Sequence, residues 1–425
     1  MLAAVINEFL TSNNSGLVND NADRSDWIEI YNTGAQTINL AGYSLTDNPN
    51  DPTKFIFSSQ FLAPGQYLVV YADDDANPTS GNNQYTGFGL SSSGEYVGLY
   101  DPTGTVISEF AAGGGEYPAQ LTDVSYGFLN DGTYSQPSYF STPTPGFANA
   151  NPVAEIVDRV TASVEPGFYD APFNVTLSTP TPGAVVFYTT DGSTPSAFNN
   201  ENTFSQASST ISVNISSTTT LRAVAAKSNA LSVADRTWSY LFLDDVLAQD
   251  GTAPGPDWPA PTTNGQDIDY GIDPDVIGIE GAQAVRDALL AIPSWSITTD
   301  VDNLFHPSTG IYTNANNDGI NWERPASLEQ LNPDGSEGFQ VNAGIRIRGG
   351  FSRSDNNPKH SFKFFFRNEY GDSSLDYDLF KDDASSTTSF EKIDLRTAQN
   401  YSWSFQGDAS NTFVTDVLNL SLIHI

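Results

Sequence analysis

Six of the seventeen Lys and Arg residues, Arg346, Arg348, Arg353, Lys359, Lys363 and Arg367, lie between residues 341 and 367 with one acid, Asp355, in a chain of net charge −34. So acidic a protein repels anions, and cations clustered around Gly349-Gly350 create a local potential able to hold phosphate groups. In the run IRIRGG, Ile345 and Ile347 point to one face of a strand and Arg346 and Arg348 to the other, where Lys359 and Lys363 of the next strand converge with them. Phosphoryl transfer needs such cations, because its barrier falls when charge on the transferred group is neutralised and held in line. Gly349 and Gly350 let backbone N–H groups approach an anion. A second reading stays open: solvent-face charges that balance an acidic protein or pair with neighbouring Asp and Glu.

Metal ligands and a base would have to be carboxylates, since the chain has no Cys and only three His. Asp300, Asp302, Glu323, Glu329, Asp376 and Asp378 are available, in no recognised catalytic motif. His306 and His360 are too few for a zinc site, and His360 reads as a polar surface residue. Among the sixteen acids of the first 150 residues, Asp20, Asp23 and Asp26, or Asp73, Asp74 and Asp75, offer hard oxygen ligands for Ca²⁺. Neither run has EF-hand spacing, and solvated loop acids are the competing reading. Glu8 and Glu29 sit in alternating strand runs, on the face expected to meet solvent.

The elements that must position these residues are strands. Gly 34, Pro 25 and short Val/Ile/Phe/Tyr-rich runs in a 425-residue chain with 38% hydrophobic content predict a mostly β protein with several packed cores. A pI near 4.1 weighs against nucleic acid and anionic membranes as partners and favours divalent cations. Zero Cys excludes disulfides, and the low Met content suits export, so a secreted or cell-surface setting is expected. The N-terminus, MLAAVINEFLTSN, reads as neither signal peptide nor membrane span.

Five pieces are expected: a β-sandwich over 1–150, a second over 160–243, a Pro/Gly/Asp-rich linker over 244–275, an α+β module over 276–420, and a tail, 421–425. A helix over Gly281–Ile292, with Val285, Ala288, Leu289 and Ile292 at helical spacing, ends at Pro293. The final stretch, NTFVTDVLNL, reads as the start of an amphipathic helix, so the chain is expected to be a truncated piece of a larger protein, and SLIHI resembles a translated sequencing-adapter tail.

Three family resemblances accompany this reading. INEFLTSN (6–13), SDWIEIYNTG (25–34), INLAGYSLTD (38–47) and LAPGQYLVVYAD (62–73) resemble the lamin-tail domain, an immunoglobulin-like sandwich, which implies a binding or spacer role. Gly167-Phe168-Tyr169, VVFYTTDGSTPS (185–196) and TTTLRAVAAKSN (218–229) resemble the C-terminal β-sandwich of chitobiases and β-hexosaminidases, an accessory module. There Asp191-Gly192 reads as a turn, and Phe168, Tyr169 and Tyr188 are either glycan contacts or core. GIYTNA, WERPASLE, IRIRGG, PKHSFKF and LDYDLF resemble, in order, the N-terminal half of the CotH family of atypical secreted protein kinases. That resemblance implies ATP with Mg²⁺ as cofactors, Ser or Thr of extracellular proteins as substrate, and nucleotide contacts from Arg346, Arg348, Gly349, Gly350, Ser352, Lys359 and Lys363. It also places the family's catalytic and metal-binding aspartates in the C-terminal half, so this chain is expected to be inactive by itself. The reading from a different class is a non-catalytic surface adhesion or polysaccharide-associated protein.

Overall fold

The computed structural model describes residues 4–74, 84–111, 115–129, 136–197, 203–206, 208–255, 258–259, 262–263, 266–267, 270–272, 274–350, 353–354, 360–367, 369–380 and 387–396. The fold is mostly β and divides into two compact units, Met1–Ile156 with Asn229–Leu231, and Val157–Ser228 with Ser232–Ile425.

In the first unit the alternating runs fold into two main sheets, beside a two-stranded pairing of Ile38–Asn39 with Phe61–Leu62. One is six-stranded, in the order Pro137–Phe140, Ser125–Phe128, Ala4–Leu10, Asp26–Asn32, Tyr67–Ala72, Gln84–Tyr85; the other runs Val106–Phe110, Val97–Tyr100, Ser44–Thr46, Phe55–Ile56. Ile6, Phe9, Ile28, Ile30 and Val70 from the first meet Leu45, Val97, Leu99 and Phe110 from the second in one core, the apolar payload expected of a sandwich. The opposite face of the six-stranded sheet is covered too. Leu10, Trp27 and Tyr71 form a second buried cluster there with Leu17 packed against it, and the Tyr71 hydroxyl donates to the Val18 carbonyl at 2.7 Å.

That second cover overturns one expectation. Glu8 and Glu29, opposite each other in adjacent strands, are fully buried instead of solvent-facing. The segment around Thr144 and Gly146 folds onto them: Thr144 donates to Glu8 from its backbone N–H at 3.1 Å and its hydroxyl at 3.2 Å, Ser125 Oγ donates to Glu8, and the Gly146 N–H donates to Glu29. Asn7 Nδ2 donates to Glu29 at 2.8 Å. Buried carboxylates survive only when hydrogen-bonded, and these are met by neutral donors, those of Ser125, Thr144 and Gly146 brought from more than a hundred residues away.

The second unit stacks three sheets. Thr161–Ala162, Phe173–Ser178 and Thr210–Ile215 form one; Gly167–Phe168, Arg236–Leu241, Thr219–Ala226, Val185–Thr189 and Phe204–Ser205 form the next. The third is an antiparallel sheet of Ser294–Thr298, Arg324–Leu331, Phe339–Arg348, Ser361–Phe365 and Lys392–Leu395. One face of this last sheet is apolar, with Leu328, Val341, Ala343, Ile345, Ile347 and Phe364 in a core closed by Ile311, Ala315 and Leu375. Its other face is polar and is shared. Toward one end it meets the middle sandwich, where Glu329 is fully buried and accepts from the Ser239 N–H at 3.1 Å and Oγ at 2.6 Å. Ser239 and Ser296 hydroxyls lie 2.7 Å apart, Arg236 Nε donates to Gln340 at 3.1 Å, and Asn342 Nδ2 donates to the Asp235 carbonyl at 2.9 Å.

Asp191-Gly192 forms the expected turn, Gly192 having φ +79°, and the chain after it is clasped from beside the third sheet: Asp300, between strand Ser294–Thr298 and helix Val301–Phe305, accepts from the Thr194 N–H at 2.9 Å and hydroxyl at 2.8 Å. Arg222, 6% exposed, reaches Asp235, the Gly192 carbonyl and, at 3.9 Å, Asp300. In the segment expected to be a linker, residues 243–247 form a short helix. The expected helix over 281–292 is Ala282–Leu289; it closes at Leu290, before Pro293, and buries none of its residues.

Candidate anion-binding cleft

Strand alternation delivers the cations to one side. Arg346 lies opposite Lys363, and Lys363 opposite Asp394, in three adjacent strands. Arg348 is two residues beyond Arg346 on the same face, while Ile345 and Ile347 are buried on the other. These side chains, with Gly349, Arg353, Phe365, Asp318 and Gly319, line a cleft of about 430 Å³. Gly349 adopts φ +102°, a conformation that costs glycine little and other residues more; it lets the chain leave the strand at the cleft wall. Ser352 and Lys359 lie outside the described residues, so the cleft rests on Arg346, Arg348 and Lys363, with Arg353 added.

Each arginine is held by a carboxylate. Arg346 donates to Glu323 from Nε at 2.6 Å, and Arg367 Nε donates to the other Glu323 oxygen at 3.1 Å, as does the Tyr370 hydroxyl at 3.1 Å. The Glu323 side chain is 1% exposed. It folds over Gly344, where a methyl group would run into the carboxylate. Arg346, Arg367 and Lys363 gather around the Phe365 ring at 4.2, 5.1 and 5.5 Å from its centroid, a cation–π cluster that steers three flexible side chains. Burial and the adjacent Glu323 charge push the Tyr370 hydroxyl pKa up, so it stays a proton donor. Arg348 Nε donates to Asp394 at 2.9 Å, with Lys363 Nζ 3.8 Å from the other oxygen, and Arg353 pairs with Asp318 at 3.1 Å. Glu323 is in view in the sequence as an available acid; its pairing with Arg346 is not, although Glu323 directly precedes Arg324, which stands opposite Ile345 in the sheet.

The remaining carboxylates do not converge. Glu329 is in the buried seam, Asp300 holds Thr194, Asp376 accepts from Ser374, and Asp378 caps the Phe380 N–H. Burial raises the Glu329 pKa to about 7 against the hydrogen bonds from Ser239 and the Arg236 charge, which lower it. In the first unit Asp26 is also raised to about 7, by burial foremost and then by Asp73, Glu95 and Asp74, against the Leu90 N–H. Asp20 and Asp23 are exposed, Asp73 accepts from Ser25 Oγ at 2.5 Å, and Asp75 is outside the described residues. Among the described residues no three acid or imidazole groups gather closely enough to hold a metal ion. His360 is a correction: only 3% exposed, it packs against Tyr312 at 4.7 Å, because the far-face core closes over it. His306 organises its own loop, 2.9 Å from the Thr309 hydroxyl.

Of the aromatics in the middle sandwich, Tyr169 packs on Phe173 at 4.3 Å and Tyr240 at 5.8 Å, Phe168 is half-buried, and Tyr188 lies 5.5 Å from Phe204, which is 50% exposed.

Comparison with protein families matches residues 3–114 to the Lamin Tail Domain and residues 164–234 to the Chitobiase/beta-hexosaminidase C-terminal domain. Both matches fall on β-sandwiches, and neither reaches the third sheet. No curated protein matches the chain. Among the described residues no helix is long and apolar enough to cross a membrane.

Proposed function

We propose that two binding sandwiches carry a phosphate-recognising module, the nucleotide-facing lobe of a CotH-like protein kinase, in a secreted or cell-surface protein. The observation that carries the reading is the row Arg346, Lys363 and Arg348 on one sheet face of a cleft large enough for a small ligand. Their preorganisation by Glu323 and Phe365 supports it, because cations fixed before the ligand arrives lose less freedom on binding. ATP with Mg²⁺, and Ser or Thr of extracellular proteins as acceptor, extend the reading through the resemblance of WERPASLE, IRIRGG and PKHSFKF to that family. Within it Glu323 positions Arg346, while Arg348 and Lys363 meet the phosphates.

A second reading, a non-catalytic adhesion or polysaccharide-associated protein, is favoured by the carboxylate partner that each cleft arginine already has. Calorimetric titration of ATP with Mg²⁺ into the full chain separates the two. The first reading expects saturable binding, weakened at least about tenfold in Arg348→Ala through loss of one charge-assisted contact. No heat from a folded chain favours adhesion and directs the search to glycans.

A further inference from the structure

We infer that Asp394 is a built-in competitor for the cleft, a displaceable carboxylate seated between Arg348 and Lys363 that reserves the site for multiply charged anions such as a pyrophosphate group. The inference rests on the anion-binding reading above and adds a selectivity that reading does not contain.

The two carboxylates that hold the cleft cations are differently anchored. Glu323 is buried and receives Arg346, Arg367 and Tyr370; withdrawing it would strand the Arg346 guanidinium over Phe365. Asp394 is 25% exposed and lies on the last strand of the sheet among the described residues. Its Oδ2 accepts from Arg348 Nε at 2.9 Å, while its Oδ1 is buried, accepts no hydrogen bond among the described residues, and stands 3.8 Å from Lys363 Nζ. One oxygen is thus bonded and the other falls short of its cation. A phosphate group spanning the same two cations could bond both, with three oxygens in place of two.

The exchange has a charge rule. A monoanion replacing Asp394 trades one negative charge for another and gains little, whereas a pyrophosphate brings more charge to the same cations and wins. Glu323 stays in place throughout, so Arg346 remains aimed while Arg348 and Lys363 change partner. Asp318, at the mouth, is exposed and bound to Arg353, outside this exchange.

The test is calorimetry on the full chain at about pH 5, where inorganic phosphate is a monoanion and pyrophosphate a dianion, with inorganic pyrophosphate and inorganic phosphate, both without Mg²⁺, and with ATP plus Mg²⁺, for wild type, Asp394→Asn and Asp394→Ser, folding being checked by thermal unfolding. Removing the competitor should tighten pyrophosphate about tenfold and make phosphate binding measurable. Either folded variant suffices. Equal or weaker pyrophosphate binding in a folded variant overturns the inference and makes Asp394 a residue that positions the cations; ATP binding by wild type in that case leaves the anion-cleft reading standing. Pyrophosphate binding only in the variants upholds the inference and sinks the nucleotide reading of the wild type. Silence from all three proteins with every ligand overturns both.

Discussion

Two sheets in this molecule bury carboxylates on the face that strand alternation assigns to water, and they satisfy them by different means. In the first unit Glu8 and Glu29 accept from hydroxyl, amide and backbone N–H donors, all neutral. On the third sheet of the second unit Glu323 accepts from two guanidinium groups and a phenol, while Glu329 accepts from neutral donors of Ser239. Neutral donors tie down chain segments around the carboxylate. Cationic donors make the cation depend on the acid. The first arrangement builds structure, and the second fixes the position of a charge.

Truncation separates the two most sharply. Glu323→Ala strands Arg346, leaves Arg367 only Glu369 at 4.0 Å among the described residues, and should cost the second unit about 3 kcal/mol, the lower range for breaking a buried ion pair because Arg367 is partly exposed. Glu8→Ala leaves hydroxyl and N–H groups without an acceptor and should cost the first unit about 2 kcal/mol. Denaturant-dependent hydrogen exchange, read unit by unit, gives both values; a larger loss for Glu8→Ala would reverse the comparison.

Protonation comes next. Glu329, with its folded pKa raised from 4.5 to about 7, binds a proton more tightly folded than unfolded. Its contribution is therefore fully present below pH 4.5 and is lost as pH rises through about 7, by up to roughly 3 kcal/mol. Asp26 acts in the same direction in the first unit, between 3.8 and about 7. Thermal unfolding from pH 4 to 8 should show Glu329→Gln flattening this slope for the second unit alone, and Asp26→Asn for the first alone. An unchanged slope in Glu329→Gln would remove Glu329 as its source.

The smallest effect belongs to the exposed pair Arg159 and Asp372, 3.1 Å apart. Arg159→Ala should shift unfolding free energy by no more than about 0.5 kcal/mol, because solvent screens both partners. A loss above 1 kcal/mol would show that surface pairing matters here as much as the buried seam.

Much of this was legible in the residues. Alternation placed Ile345 and Ile347 in the core and Arg346 and Arg348 opposite them, and the runs VINEFL, DWIEIYN and QYLVVYAD are strands of the first sandwich. What alternation cannot report is a cover supplied from far along the chain. Thr144 and Gly146 reach Glu8 and Glu29 across more than a hundred residues, and Ser239 reaches Glu329 across ninety. The same limit applies to the cleft: the cation cluster shows in composition, but its acids, Glu323 and Asp394, are visible only once strands 324–331, 339–348, 361–365 and 392–395 are in register. His360 failed for a related reason, since a polar residue beside a basic run gives no sign that Tyr312 will close over it.

The clasp of Thr194 by Asp300, together with the Ser239–Glu329 seam, shares the work of placement with the connecting segment. Contacts made directly between the middle sandwich and the third sheet tie the two together, and the segment adds anchors of its own, Trp258 against Phe305 and Tyr270, and Asp244 against Arg286. A backbone cut at Gly251 would therefore leave two fragments that hold together by the seam.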